Sequence, residues 1–173
     1  MYIRLLTTKD APAYKGIMLH AYEHAADAFT STAQERSQES DDWWIARLAQ
    51  PDQKIAFGAF VNGQILGTVA VEFSAKPKTK HKALVVGMYV LQESRRQGIA
   101  KSLMHSAIGA CSSNQGILVV QLDVTDGNMP AEDLYKSLGF QRFGVEPMAI
   151  LTPSGFKSKV HMWLSLGESA NAV

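Results

Sequence analysis

The segment from Val85 to Ala100 restricts the possible folds of this chain more than any other part of it. It reads VVGMYVLQESRRQGIA: an apolar, partly β-branched run stops at a polar turn, and a helical pattern starts at once. Apolar residues then recur at intervals of three and four, as on one buried face of a helix: Ile99, Leu103, Ala107, Ile108 and Cys111. The segment predicts a strand, a tight turn and a helix in immediate succession.

The turn has the properties of a phosphate-binding site. The first N–H groups of a helix have no partner within it, and the helix dipole is positive at that end. Arg95 and Arg96 add positive charge, and Gly98 lets the backbone approach a ligand closely. A P-loop would need glycines at Arg95 and Ala100, and a dinucleotide fingerprint needs three glycines where this turn has one. The alternative is an ordinary turn with two solvated arginines.

Helix-capping residues and helix-breaking prolines and glycines predict three further helices. The first begins at Thr7 or Thr8, and the second begins at the capping box of Thr32 and Glu35 and ends near Pro51. The second helix carries Trp43, Trp44 and Leu48. The last helix runs from Pro130 to a glycine cap at residue 139.

Period-two patterns and turn signals predict the strands. Asn62-Gly63 is the strongest short hairpin signal in the chain. The predicted strands cover residues 2–6, 55–61, 64–73, a segment from 83 to the polar turn, 117–124, 140–145 and 159–166.

Composition limits the class of protein. A chain of 173 residues with 46% hydrophobic residues predicts one domain, residues 1–166, with a disordered tail at 167–173. The formal net charge of +1 gives no field that would attract nucleic acid or an anionic membrane, so neither is expected as a partner. The lone Cys111 and the absence of a long apolar run favour a cytoplasmic protein.

The hexapeptide Arg95-Arg96-Gln97-Gly98-Ile99-Ala100 resembles the pyrophosphate loop of the GNAT acetyltransferase superfamily, [R/Q]-x-x-G-x-[G/A]. The predicted order β-α-α-β-β-β-α-β-α-β-β is similar to that family over nearly the whole chain. The resemblance implies an α/β (α+β) fold with a mixed, mostly antiparallel central sheet flanked by helices. It also implies that two central strands splay apart to admit acetyl-CoA. Gln92 departs from the family pattern, in which many members have proline.

A second motif, Asn128 to Phe140, resembles the family element N-x-x-A-x-x-[L/F]-Y-x-x-x-G-F. On a helix Asn128 and Tyr135 share one face. By resemblance, Tyr135 protonates the departing thiolate, and a backbone N–H near Val90 polarises the thioester carbonyl. The alternatives are a packing role for Tyr135 and a capping role for Asn128. The coenzyme-binding residues implied by the two motifs are Met88, Tyr89, Val90, Arg95, Arg96, Gln97, Gly98, Ile99, Ala100, Lys101, Ser102, Asn128 and Tyr135.

The acceptor side is less well defined by the sequence. Glu72, near the end of a strand, is the candidate base; Glu23 and Asp123 are weaker candidates, and ordered water is the alternative to all three. An acceptor wall is predicted from Tyr22, Phe29, Trp44 and Glu72, with Trp43, Glu23 and Trp163 as further candidates. Core packing is the alternative for the tryptophans. The expected acceptor is a primary amine of a small molecule or peptide, and the expected assembly is a monomer or homodimer.

One motif favours a different class of enzyme. His20-Ala-Tyr-Glu23-His24 spells H-x-x-E-H, a zinc-protease signature that places both histidines on one helical face. No third ligand is identifiable from the sequence, so no bound metal is expected. A non-catalytic coenzyme-binding module is a further alternative, which the intact Tyr135 motif disfavours.

Overall fold

The computed structural model describes residues 1–167, so the tail predicted at 167–173 lies outside the described residues except for Gly167. The strands are β1 (Tyr2–Leu5), β2 (Lys54–Val61), β3 (Gln64–Phe73), β4 (Lys82–Val90), β5 (Val119–Thr125), β6 (Gln141–Thr152) and β7 (Gly155–Ser165). The helices are α1 (Ala11–His24), α2 (Ala33–Ser37), α3 (Asp41–Ala46), α4 (Ile99–Ser113) and α5 (Met129–Ser137). Within residues 1–167, no helix has the length and apolar character needed to cross a membrane.

The strands form one seven-stranded sheet in the order β1-β2-β3-β4-β5-β7-β6. Strands β4 and β5 run parallel, and every other neighbouring pair in the sheet is antiparallel. The α4 helix provides the connection that a parallel pair requires. The mixed, mostly antiparallel sheet expected from the sequence is therefore confirmed.

Helices cover both faces of the sheet. On one face α4 packs its apolar stripe, which includes Leu103 and Ala107, against alternate residues of the central strands such as Val120 and Val160. On the opposite face α1 packs Tyr14 and Met18 against residues of β2 and β3. Residues of β5 and β7 that do not face α4 therefore point towards the α1 side.

The second helix and the late strands differ from the predictions. The helix predicted from Thr32 to near Pro51 is two short helices, because Ser40 caps a new helix by accepting a hydrogen bond from the Trp43 N–H at 3.2 Å. Strands β6 and β7 form a hairpin much longer than predicted. Its outer half has no regular alternation, because β6 contains a bulge between Glu146 and Ile150 with Met148 at φ 53°.

Candidate active site

The cleft of this protein lies where β4 and β5 separate. The two strands pair from Lys82 and Val119 as far as Val85 and Leu122, and β4 then continues to Val90 without β5 beside it. A cavity of about 420 Å³ occupies the space between them. It is lined by residues 85–90 of β4, residues 122–125 of β5, Ala28 to Thr30, Arg95, Ala100, Asn128, Pro130, Ala131, Leu134, Tyr135 and Lys159.

The turn at one end of the cleft presents free backbone N–H groups. Gly98 precedes α4 with φ 77°, and its carbonyl accepts the first intrahelical hydrogen bond, from the Ser102 N–H at 3.0 Å. The N–H groups of the three residues between them, 99–101, therefore have no partner within the helix. Arg96 also has a left-handed backbone, φ 62°, which the sequence did not indicate because such a conformation is uncommon for arginine. The turn therefore offers several backbone donors to an anion.

The backbone of β4 directs a further donor into the cleft. The Leu91 N–H bonds to the Leu66 carbonyl of β3 at 2.9 Å. Since successive peptide groups of a strand point in opposite directions, the Val90 N–H and carbonyl point away from β3, to the side that β5 has left. The Val90 carbonyl accepts a hydrogen bond from Arg95 Nε at 3.1 Å, which ties the turn to the strand.

Tyr135 faces the cleft from α5 and is 7% exposed. Burial raises the pKa of its phenol to about 12, and no charged or hydrogen-bonding neighbour within residues 1–167 offsets that effect. The hydroxyl is therefore protonated at neutral pH and suited to act as an acid. Asn128 caps α5 by accepting a hydrogen bond from the Ala131 N–H at 3.4 Å, and it also borders the cavity.

The other predicted coenzyme-binding residues occupy different positions around the turn. Met88 and Tyr89 line the cavity, as do Arg95 and Ala100. The side chains of Arg96, Gln97 and Lys101 are exposed at the turn, and Ser102 is half-buried. Ile99 is 2% exposed and packs into the core, so only its backbone is available to a ligand.

Glu72 does not lie at the cleft. Strand β3 pairs Thr68 with Tyr89 beside the cleft but Glu72 with Leu84, four residues further along, a displacement of about 14 Å at roughly 3.4 Å per residue. The Glu72 carboxylate forms an ion pair with Lys54 Nζ at 2.8 Å and borders a separate recess. The structure therefore does not bring the predicted base together with Tyr135.

The predicted acceptor wall is only partly assembled. Phe29 lines the cavity, and Tyr22 supports it from behind in an edge contact with ring centroids 5.1 Å apart. Trp44 is 1% exposed and packs against Tyr14, with ring centroids 6.0 Å apart. Trp44 therefore belongs to the core beneath α1, because its apolar neighbours leave it no surface for a substrate.

The histidines of the H-x-x-E-H motif have other contacts. Their rings stack with centroids 3.9 Å apart; His20 Nδ1 lies 2.9 Å from the Tyr89 hydroxyl, and His24 Nδ1 lies 3.0 Å from the His20 carbonyl oxygen. Within residues 1–167, no three side chains of histidine, cysteine, aspartate or glutamate are grouped as metal ligands.

We expect protein purified without added metal to contain well under one zinc per chain and to keep its activity in the presence of a chelator. A structural or catalytic zinc site needs three or four converging ligands, and this helix offers two. Elemental analysis together with a chelator titration checks this. About one zinc per chain, with activity abolished by the chelator, would restore the hydrolase alternative.

The sequence model of the acetyltransferase (GNAT) family matches residues 18–140, which include the second half of α1, all of α5 and every residue lining the cleft except Lys159. The chain belongs to this family. Family membership makes it an acyltransferase that uses acetyl-CoA, and the expectations on family, enzyme class and cosubstrate are confirmed.

Named relatives extend the comparison. The L-amino acid N-acetyltransferase AaaT of Escherichia coli is 27% identical over 139 residues, which are 80% of this chain and 82% of that protein. An N-alpha-acetyltransferase of Sulfurisphaera tokodaii is 32% identical over 96 residues, 51% of this chain and 58% of that protein. The fold is similar to that of yncA from Salmonella typhimurium, whose structure contains acetyl-CoA, with a TM-score of 0.81 and 21% identity. The match covers 100% of this chain and 98% of that chain.

Proposed function

We propose that this GNAT protein transfers the acetyl group of acetyl-CoA to a primary amine of a small molecule or peptide, by direct attack of the amine on the thioester. The observation that carries the proposal is one cleft that combines the donor-rich turn before α4, the inward Val90 N–H and the protonated Tyr135. These three groups match the three parts of the cosubstrate: an anionic pyrophosphate, an acyl carbonyl and a thiol leaving group.

Each group has a distinct role in the proposed reaction. The bound cosubstrate supplies an acetyl thioester whose C–S bond breaks as the amine attacks. The backbone N–H groups of residues 99–101 hold the pyrophosphate. The Val90 N–H donates to the carbonyl oxygen as negative charge develops on it. Tyr135 donates its proton to the sulfur. The mechanism requires no nucleophilic side chain; the buried Cys111 is unsuited, since burial raises the pKa of its thiol to about 11.

The acceptor side of the cleft suits an amine with an apolar portion. Phe29 and Thr30 border the cavity from the connection between α1 and α2, and Asp123 borders it from β5. An aromatic ring and a carboxylate together match an ammonium or amine group beside an apolar substituent. The relatives are named for the acetylation of L-amino acids and of N-alpha amines, which supports those two acceptor types.

The proposed function is tested by thiol release from acetyl-CoA in the presence of an amine panel. The panel contains L-phenylalanine, L-methionine, benzylamine, spermidine and a tetrapeptide that begins with alanine. We expect amine-dependent thiol release with at least one of these acceptors. Binding of acetyl-CoA without turnover on any amine, across a broader panel of amino acids and peptides, would instead indicate the non-catalytic module.

We expect Phe29→Ala to raise KM for an apolar amine by about tenfold, since loss of one apolar contact surface in a pocket costs roughly 1–3 kcal/mol. The matched control is Trp44→Phe, which changes an aromatic residue that does not reach the cavity. Trp44→Phe should leave KM within about twofold, even if it changes thermal stability. Steady-state kinetics with the preferred amine measures both. An increased KM in Trp44→Phe but not in Phe29→Ala would show that the acceptor binds beneath α1 instead.

A further inference from the structure

A carboxylate and a histidine form a hydrogen-bonded pair at the mouth of the cleft. Asp123 Oδ1 lies 2.5 Å from His161 Nδ1, and the two residues are direct neighbours on β5 and β7. His161 Nε2 lies 3.4 Å from Glu146 Oε2 on β6. The side chains of Asp123 and His161 are 33% and 27% exposed, so the pair is accessible to water.

The pair lies beside the cleft, at the point where β5 separates from β4. Leu122 is the last β5 residue paired with β4, which makes Asp123 the first residue of β5 beyond the point of separation, and Asp123 is one of the residues that line the cavity. Leu122 and Val124 pack into the core under α4, so Asp123 points to the opposite face, the one that carries α1. The connection after α1 is held over the same face by a hydrogen bond from Thr125 Oγ1 to the Asp27 carbonyl at 2.5 Å.

His161 fixes the orientation of the Asp123 carboxylate. With Nδ1–H donated to Oδ1, the second oxygen, Oδ2, remains for a ligand. Lys159 also borders the cavity on the same face of β7, and the Phe143 ring lies against His161 with centroids 5.8 Å apart. In the described part of the chain, the titratable side chains on this face near Asp123 are therefore those of His161, Glu146 and Lys159.

We infer that Asp123 is the residue that binds the acceptor amine and takes its proton, and that His161 is the positioning residue that orients it. As the C–N bond forms, one N–H proton passes to Asp123 Oδ2 and then to water. The electrons of the C–S bond leave with sulfur, which takes a proton from Tyr135, and water restores the phenol. The sum is one amine and one thioester giving one amide and one thiol. This inference rests on the proposed function.

The test uses the amine that the wild-type protein acetylates fastest in the panel. Asp123→Asn keeps the shape of the side chain and removes its basicity, so we expect kcat/KM for the amine to fall by about 100- to 10,000-fold. Affinity for acetyl-CoA, measured by calorimetry, should change less than about threefold. In Asp123→Ala, added formate should restore the rate at least about tenfold, because it replaces the missing carboxylate.

His161 provides a second, independent series. His161→Ala should lower kcat by about tenfold or more, and His161→Asn, which retains a donor near the position of Nδ1, should recover most of that loss. The double variant Asp123→Asn/His161→Ala should be no slower than Asp123→Asn alone, since the two residues act as one unit.

The matched controls change the same residue types outside the cleft. Asp126→Asn alters an exposed carboxylate that pairs with Arg142, and His105→Ala alters an exposed histidine on α4; both should keep wild-type kcat/KM. Wild-type kinetics in Asp123→Asn, or a loss that formate does not restore in Asp123→Ala, would overturn the inference while the proposed function stood. Absence of turnover by the wild-type protein on every amine would instead count against the proposed function itself.

Discussion

Replacing Tyr135 with phenylalanine is expected to lower kcat by roughly 10- to 10,000-fold, with the lower part of that range favoured because a thiolate leaves readily. The ring stays in its packing position against Phe140, so the fold and the affinity for acetyl-CoA should change little. The decrease in kcat should become smaller as the pH rises past about 8.5, near the ordinary pKa of a thiol, because the leaving group then needs no proton. Because the pKa of Tyr135 is about 12, its deprotonation should not lower the wild-type rate at pH values below that.

Tyr14→Phe is the matched control, since Tyr14 is also buried, its pKa is likewise raised to about 12 by burial, and it lies in the core beneath α1. It should leave kcat unchanged. Pre-steady-state measurements must first show that chemistry limits turnover. If Tyr135→Phe then matches the wild-type rate across the pH range, Tyr135 is a packing residue and water supplies the proton.

Replacing Gly98 with valine is expected to weaken acetyl-CoA binding by about 100-fold, which corresponds to about 2.7 kcal/mol. Gly98 has φ 77°, a conformation that side chains rarely adopt, and an added Cβ would meet no protein atom within 4 Å. The side chain would therefore project into solvent at the turn and distort the donor array that holds the pyrophosphate. Lys101→Ala should have a smaller effect, because it removes one exposed charge and leaves the backbone intact.

Gly63→Val isolates the effect of backbone strain. Gly63 has φ 82° and equally open surroundings, but it lies in the β2–β3 hairpin. The Gly63→Val variant should have a lower free energy of unfolding. The dissociation constant of acetyl-CoA, measured by calorimetry on the folded fraction, should not change. Equal loss of affinity in both valine variants would show that the turn before α4 has no specific role in binding.

The strand, turn and helix from β4 to α4 were predictable from the sequence because their signals are local. A β-branched run, a glycine before the helix and a three-to-four periodicity each act within a few residues. The β2–β3 hairpin was predictable for the same reason, and Asn62 and Gly63 both have the positive φ that such a turn requires.

The acceptor side was not predictable because it depends on strand register. The sequence places Glu72 near the end of β3, but only the pairing of Glu72 with Leu84 shows that this end lies away from the cleft. Asp123 and His161 are 38 residues apart and meet through the pairing of β5 with β7. Alternation along β7 indicated which of its residues share a face, but it gave no indication of the partner strand.

The claim of direct transfer is tested most directly by mass spectrometry of a reaction that contains the protein, acetyl-CoA and the preferred amine. Direct attack predicts one N-acetylated amine for each thiol released, and an unmodified protein mass both with and without the amine. A chain that carries an acetyl group when incubated with acetyl-CoA alone, and loses it when the amine is added, would contradict direct attack. Thiol release with no acetylated amine would contradict acetyl transfer to an amine altogether.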